Sequence, residues 1–265
     1  MVAAENVYGD IARQIGGGDV QVTSILNDPN ADPHLYEPGT AAALAVARAR
    51  LVVVNGVGYD AFMQRLLAAA PEPGRIVVTI ASVLHAPAGA NPHLWYDVPG
   101  LPAIAQAIAG GLIRAAPASA PTFRANLGTF LLSLRPLDRA VADLSRQFGG
   151  TGVAYTEPVP GYLLQAANLV NKAPEAFSKA IEDGIEPPPA AVAQMEALIT
   201  THSIRLLLYN SQATSPITQR VRQLALTNGV PVVGVTETLP PAQTFQQWQL
   251  EQVRSIADAL AGSSP

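Results

Sequence analysis

The chain contains no cysteine. That removes disulfides, thiolate metal sites and cysteine nucleophiles together. Charge is also scarce: 14% of residues are charged, the formal net charge is −4, and basic residues are scattered singly. No electrostatic footprint for nucleic acid or an anionic membrane surface follows from such a pattern. No uninterrupted apolar run reaches about eighteen residues, so no membrane span is expected. The opening "MVAAENVYGDIARQI" lacks the basic and apolar regions of a leader peptide and runs straight into a helical pattern. It fits a cytosolic chain, or one whose leader was removed ahead of Met1. What the chain has in quantity is apolar residues, 49% of 265. That is enough to bury a sizeable core in one large domain or two lobes.

Strand and helix patterns alternate. Val7, Tyr8, Ile11 and Ile15 suggest a first helix closed by the glycines at 16–18. "VQVTSIL", "RLVVVNG" and "RIVVTIA" read as strands, with helices at "TAAALAVARA" and "DAFMQRLLAAA". An alanine-rich helix follows over about 98–115. From Ala120 to Phe148 helical periodicity runs for close to thirty residues, roughly 40 Å, with Pro136 expected to kink it. "GVAYTEP" restarts the alternation: helices at "GYLLQAANL" and "PAAVAQMEALITTH", strand "IRLLLYN", helix "ITQRVRQLALTN", strand "PVVGVTE" and a last helix to about Ala261. Such alternation predicts an α/β fold of two lobes, each with a mainly parallel sheet covered by helices. The expected limits are 1–118 for the first lobe, 119–148 for one long rigid linking helix and 149–265 for the second lobe.

Four donors share one context, just past a predicted strand and beside proline: His34 in "DPHLYEP", His93 in "NPHLWYD", Glu157 in "AYTEPVPGY" and Glu237 in "VTETLPP". Ligands gather at the carboxyl ends of parallel strands, so a site between the lobes would draw on all four. Two imidazoles and two carboxylates satisfy a divalent first-row cation without thiolate. Two ionised glutamates also offset its charge, which limits the cost of burial. Taken singly, a proline-flanked histidine reads as an exposed turn residue and a loop glutamate as solvated. The near-duplication of Asx-Pro-His-Leu-aromatic, each copy after a strand, is what separates His34 and His93 from that background. His85 and His202 have no such context and read as surface histidines. Asn55 and Asn210, at strand ends, are candidates to orient the ligands.

With "AAENVYGDIARQIGG", "DPHLYEP", "NGVGYD", "NPHLWYD" and the long middle helix in order, the chain resembles the cluster A-I metal-binding solute receptors of bacterial ABC transporters. This is the TroA/ZnuA/PsaA-like zinc and manganese family. The resemblance implies that His34 and His93 are ligands and that Glu157, five residues before Tyr162, is the third. The family's fourth ligand is an Asp in an Asp-x-Leu turn; here Glu237 stands in "ETL", one methylene longer, with Asp32 and Asp97 as lesser substitutes. The zinc members' histidine-rich loop is missing, with only His85 nearby.

As the resemblance has it, the protein is not an enzyme but captures Mn2+ or Zn2+ and hands it to a permease in the cytoplasmic membrane. A monomer is expected, on the periplasmic or extracellular face of that membrane, its leader removed. The long helix would restrict hinge closure, leaving release to ligand loops near Gly161 and Gly234. Glu at the third position points to manganese, although a His2Glu2 site also suits zinc. Two other functions are weighed beside this one. A metal-dependent hydrolase would need an open coordination position, and a receptor of the same fold for a chelated metal or small organic ligand would leave the histidines incidental.

Overall fold

The computed structural model describes residues 1–29 and 33–262, with His34 by its backbone alone. The chain divides into two compact units. The first comprises Met1–Trp95, Pro99–Arg135 and Thr238–Gln246, and the second Tyr96–Val98, Pro136–Glu237 and Gln247–Pro265.

In the first unit, strands β1 (Val2–Glu5), β2 (Thr23–Leu26), β3 (Leu51–Val54) and β4 (Ile76–Thr79) form one sheet in the order β2-β1-β3-β4. Every pairing is parallel, with Glu5 opposite Leu26 and Val53 opposite both Ala3 and Val78. Helices α1 (Asn6–Gly16), α2 (Thr40–Arg48), α3 (Ala61–Ala69), α4 (Ile80–Val83), α5 (Leu101–Ala115) and α6 (Ala120–Ser133) belong to the same unit. Val2, Ala4, Val52 and Val54 share a buried cluster with Ala42, Val46, Phe62 and Met63 of α2 and α3. The alternation places the intervening residues on the opposite face, where α5 packs. A Cβ on Gly111 would stand 2.9 Å from a Leu51 methyl and 3.2 Å from one of Val78, so the absent side chain lets α5 approach the sheet. By length and composition the stretch Val98–Ala115, which contains α5, passes for a membrane span, yet Leu101, Ile104, Ile108 and Leu112 are buried in this fold.

The second unit repeats the plan. Strands β5 (Gly152–Tyr155), β6 (Val170–Asn171), β7 (Leu207–Asn210) and β8 (Val232–Val235) lie in the order β6-β5-β7-β8, again all parallel. Its helices are α7 (Arg135–Phe148), α8 (Gly161–Ala166), α9 (Glu175–Glu182), α10 (Pro189–Thr200), α11 (Pro216–Thr227) and most of α12 (Phe245–Gly262). Phe177, Met195, Ile199, Leu207 and Val221 anchor the core under this sheet. Each such side chain contributes about 1.5–3 kcal/mol on burial.

Three features depart from or refine the sequence pattern. Val2–Glu5 is a central strand, not the start of a helix. Three apolar residues and a glutamate are too few to show a period, and Ala3-Ala4 carries helix propensity that the sheet overrides. The short strand β6 and helix α9 carried no distinct signal. The long helical stretch is interrupted at Leu134, between α6 and α7. Pro136 lacks the N–H that would bond the Leu132 carbonyl. Leu134 itself keeps helical dihedrals, φ −76° and ψ −20°.

The segment after β8 returns to the first unit through defined hydrogen bonds. Asn6 donates to the Leu239 carbonyl at 2.8 Å and accepts from the Leu239 N–H at 2.9 Å. Asp10 accepts from the Phe245 N–H at 2.9 Å.

Candidate metal centre

Each sheet presents polar side chains at the carboxyl ends of its two middle strands, where the chain direction of the connections reverses. In the first unit these are Glu5 and Asn55. Asn55 is fully buried and binds in four directions. Its Oδ1 accepts from the Tyr8 hydroxyl at 2.6 Å, and its Nδ2 donates to the carbonyls of Pro92 at 2.8 Å and Gly56 at 3.0 Å. Its backbone N–H donates to Asp60 at 2.7 Å. The turn it opens, Gly56-Val57-Gly58, runs at φ 86°, 53° and 84°. Glycine adopts such angles freely, but β-branched Val57 does so against a penalty of about 1–2 kcal/mol. Asp60 fixes the turn by accepting from the N–H groups of both Asn55 and Gly56.

The Pro92 carbonyl held by Asn55 immediately precedes His93, which is fully buried. Asn91 Oδ1 accepts from the His93 backbone N–H at 3.0 Å and lies 2.8 Å from His93 Nδ1. An atom already accepting a backbone N–H is the amide oxygen, so Nδ1 donates to it, and Nε2 is the ring nitrogen this leaves for a metal. That is the arrangement a metal ligand needs. The rings of Tyr59 and Trp95 meet the imidazole edge-on, with centroids 5.7 and 5.4 Å away. His34 lies in a 3-10 turn, Pro33–Leu35. Its side chain, like all of Asp32, falls outside the described residues.

Glu5 is 2% exposed, and among the described residues no other residue hydrogen-bonds either carboxyl oxygen. Burial, then the charge of Asp60, holds its carboxyl well above the usual carboxylate range. Sequence reasoning passed over it because it was read as part of a helix.

In the second unit the corresponding positions are taken by Glu157, two residues past β5, and Asn210, the last residue of β7. Glu237 joins them from the end of β8. Glu157 and Glu237 are each 1% exposed and Asn210 is fully buried. A carboxylate oxygen of one glutamate lies within 4.8 Å of one from the other. Asn210 Nδ2 donates to Glu157 Oε2 at 2.5 Å and to Glu237 Oε1 at 2.7 Å. Gln212, two residues on, completes the frame: its N–H donates to Asn210 Oδ1 at 3.0 Å, and its Oε1 accepts from the Glu237 N–H at 2.6 Å. Nothing in the sequence singled out Gln212, since amide side chains in loops are common, and Asn91 stood out only as the first residue of the duplicated Asx-Pro-His motif, with no sign of its bond to the imidazole.

Tyr96, from the same motif as His93, donates its hydroxyl to the Thr236 carbonyl at 2.7 Å. Burial, then the nearby Glu237 charge, pushes its pKa up. Asp97 faces Tyr162, whose pKa is raised by burial and then by that carboxylate. His85 and His202 are exposed and adopt left-handed backbone, at φ 54° and 50°, just past α4 and α10.

Comparison with solved structures defines the class of fold. The periplasmic zinc-binding protein TroA of Treponema pallidum superposes with a TM-score of 0.82 at 19% identity, covering 99% of this chain and 97% of that one. The solute-binding protein FpvC of Pseudomonas aeruginosa, solved with Mn2+, gives 0.79 at 20% identity, covering 99% and 98%. The two-unit α/β architecture is that of these binding proteins. The chain belongs to the family described as zinc-uptake complex component A, periplasmic (ZnuA), whose model matches residues 1–259. Among curated relatives, the manganese-binding lipoprotein MntA of Halalkalibacterium halodurans is 30% identical over 146 residues, 54% of this chain and 48% of that protein. The chain spans about half the length of the curated relatives it matches.

Proposed function

We propose that this protein is the extracytoplasmic solute-binding component of a metal ABC transporter. It captures one divalent cation, Mn2+ or Zn2+, and delivers it to a permease in the cytoplasmic membrane. The proposed ligands are His34, His93, Glu157 and Glu237. The observation that carries this reading is the pair of buried glutamates. Two carboxylates so close and so dry repel one another, and a 2+ ion offsets that repulsion. The protonation of His93 at Nδ1 supports it, because Nε2 is then the nitrogen a metal takes. Two imidazoles and two carboxylates suit either ion. Metal-binding lipoproteins and periplasmic binding proteins among the relatives support the location and the transport role.

Four protein donors close a tetrahedral site, so the function is capture, and the protein acts as a monomer without catalysing a reaction. Metal analysis of protein purified without chelator, followed by titration of the chelator-stripped chain, tests the proposal. One ion per chain is expected. His93→Ala should weaken binding at least tenfold, and an unchanged affinity in that variant would overturn the assignment.

A further inference from the structure

The amide of Asn210 is committed on every side. Its oxygen accepts the Gln212 N–H, which fixes the flip, so its nitrogen faces the glutamates. Each of the two amide protons then has its own carboxylate, Oε2 of Glu157 and Oε1 of Glu237. The Asn210 backbone is pinned as well, its N–H donating to Thr156 Oγ1 at 3.1 Å. Gln212 holds the Glu237 backbone in register with this frame. Asn210 and both glutamates are buried, so one oxygen of each carboxylate is occupied by an amide that cannot swing away.

We propose that Asn210 is a specificity-determining residue. By engaging one oxygen of each glutamate, it confines both carboxylates to one-oxygen coordination and so disfavours manganese relative to zinc. The inference rests on Glu157 and Glu237 being cation ligands, as proposed above. Zinc is satisfied by four donors at tetrahedral geometry, whereas manganese favours six, mostly oxygen. Two imidazoles and two single carboxylate oxygens make four. Each carboxylate released from Asn210 would add one more, reaching the six that manganese prefers. Glutamate at position 157 by itself favours manganese, and Asn210 works in the opposite direction.

The test is competitive titration of Mn2+ and Zn2+ against the wild-type chain, Asn210→Leu and Asn210→Ser. Leucine removes both donors at similar volume, while serine keeps one. The preference for zinc should fall about tenfold or more in the leucine variant and by less in the serine variant. A merely structural role would weaken both metals alike, so a ratio within a factor of two of wild type overturns the proposal. Zinc K-edge X-ray absorption on the wild-type chain decides the matter even if neither variant folds: four light-atom donors are expected, and five or six would overturn it. Wild-type protein that binds neither metal would sink the transport reading along with this one, whereas binding with an unchanged ratio sinks this one alone.

Discussion

At the scale of single residues, the proposed ligands are held by the side chains around them. Asn91 fixes the tautomer of His93, and removing such a partner typically weakens metal affinity about 10–100-fold. Asn91→Leu should show that loss in a chelator competition assay, with the circular dichroism spectrum unchanged. Affinity equal to wild type would mean that the imidazole needs no such support. Glu5 makes a separate prediction. Its folded-state pKa is raised by burial and by Asp60, so the neutral acid is the form the fold prefers. Its contribution to stability is therefore fully present below the unfolded value of about 4.3 and is lost as pH rises towards the folded value. Glu5→Gln should flatten that loss: thermal midpoints of variant and wild type converge near pH 4 and separate at pH 8, with the variant higher. Parallel curves across this range would contradict the assignment.

At the scale of elements, the site depends on where strands end. β1, β3, β5 and β7 are the middle strands of their sheets, and each delivers a polar side chain at or just past its carboxyl end. α5 must lie close on the first sheet for β3 and β4 to hold position. Gly111→Val places a side chain against Leu51 and Val78. Overpacking of this kind should cost about 1–3 kcal/mol, measured as a lower urea midpoint with an unchanged slope. No change would mean that α5 has room to move outwards.

Elements of six or more residues with clear periodicity were legible in the sequence, as were the positions of Glu157 and Glu237, each two residues past a strand; His93 instead lies beyond α4, well past the end of β4. β1 was not, because "VAAE" is too short to show a period and its neighbours are helical. β6, two residues long, and α9 were hidden for the same reason of length or weak contrast. Of the orienting groups, Asn55 and Asn210 stood out by ending hydrophobic strands, and the structure gives both dense hydrogen bonding to site segments. Asn91 and Gln212 act through contacts that only the folded loops create.

At the scale of the whole molecule, two units of like topology each carry part of the proposed ligand set, His34 and His93 in one and Glu157 and Glu237 in the other. A cation that binds only the folded chain should stabilise it by mass action, by about 2.7 kcal/mol at a concentration one hundred times Kd. The central claim is that the buried glutamate pair exists to hold that cation. Titration of the double variant Glu157→Gln/Glu237→Gln tests it most directly, since both side chains keep their shape and lose only their charge. The account predicts a fall in affinity of at least a thousandfold for Mn2+ and Zn2+ alike, with the fold intact; binding within about threefold of wild type would contradict it.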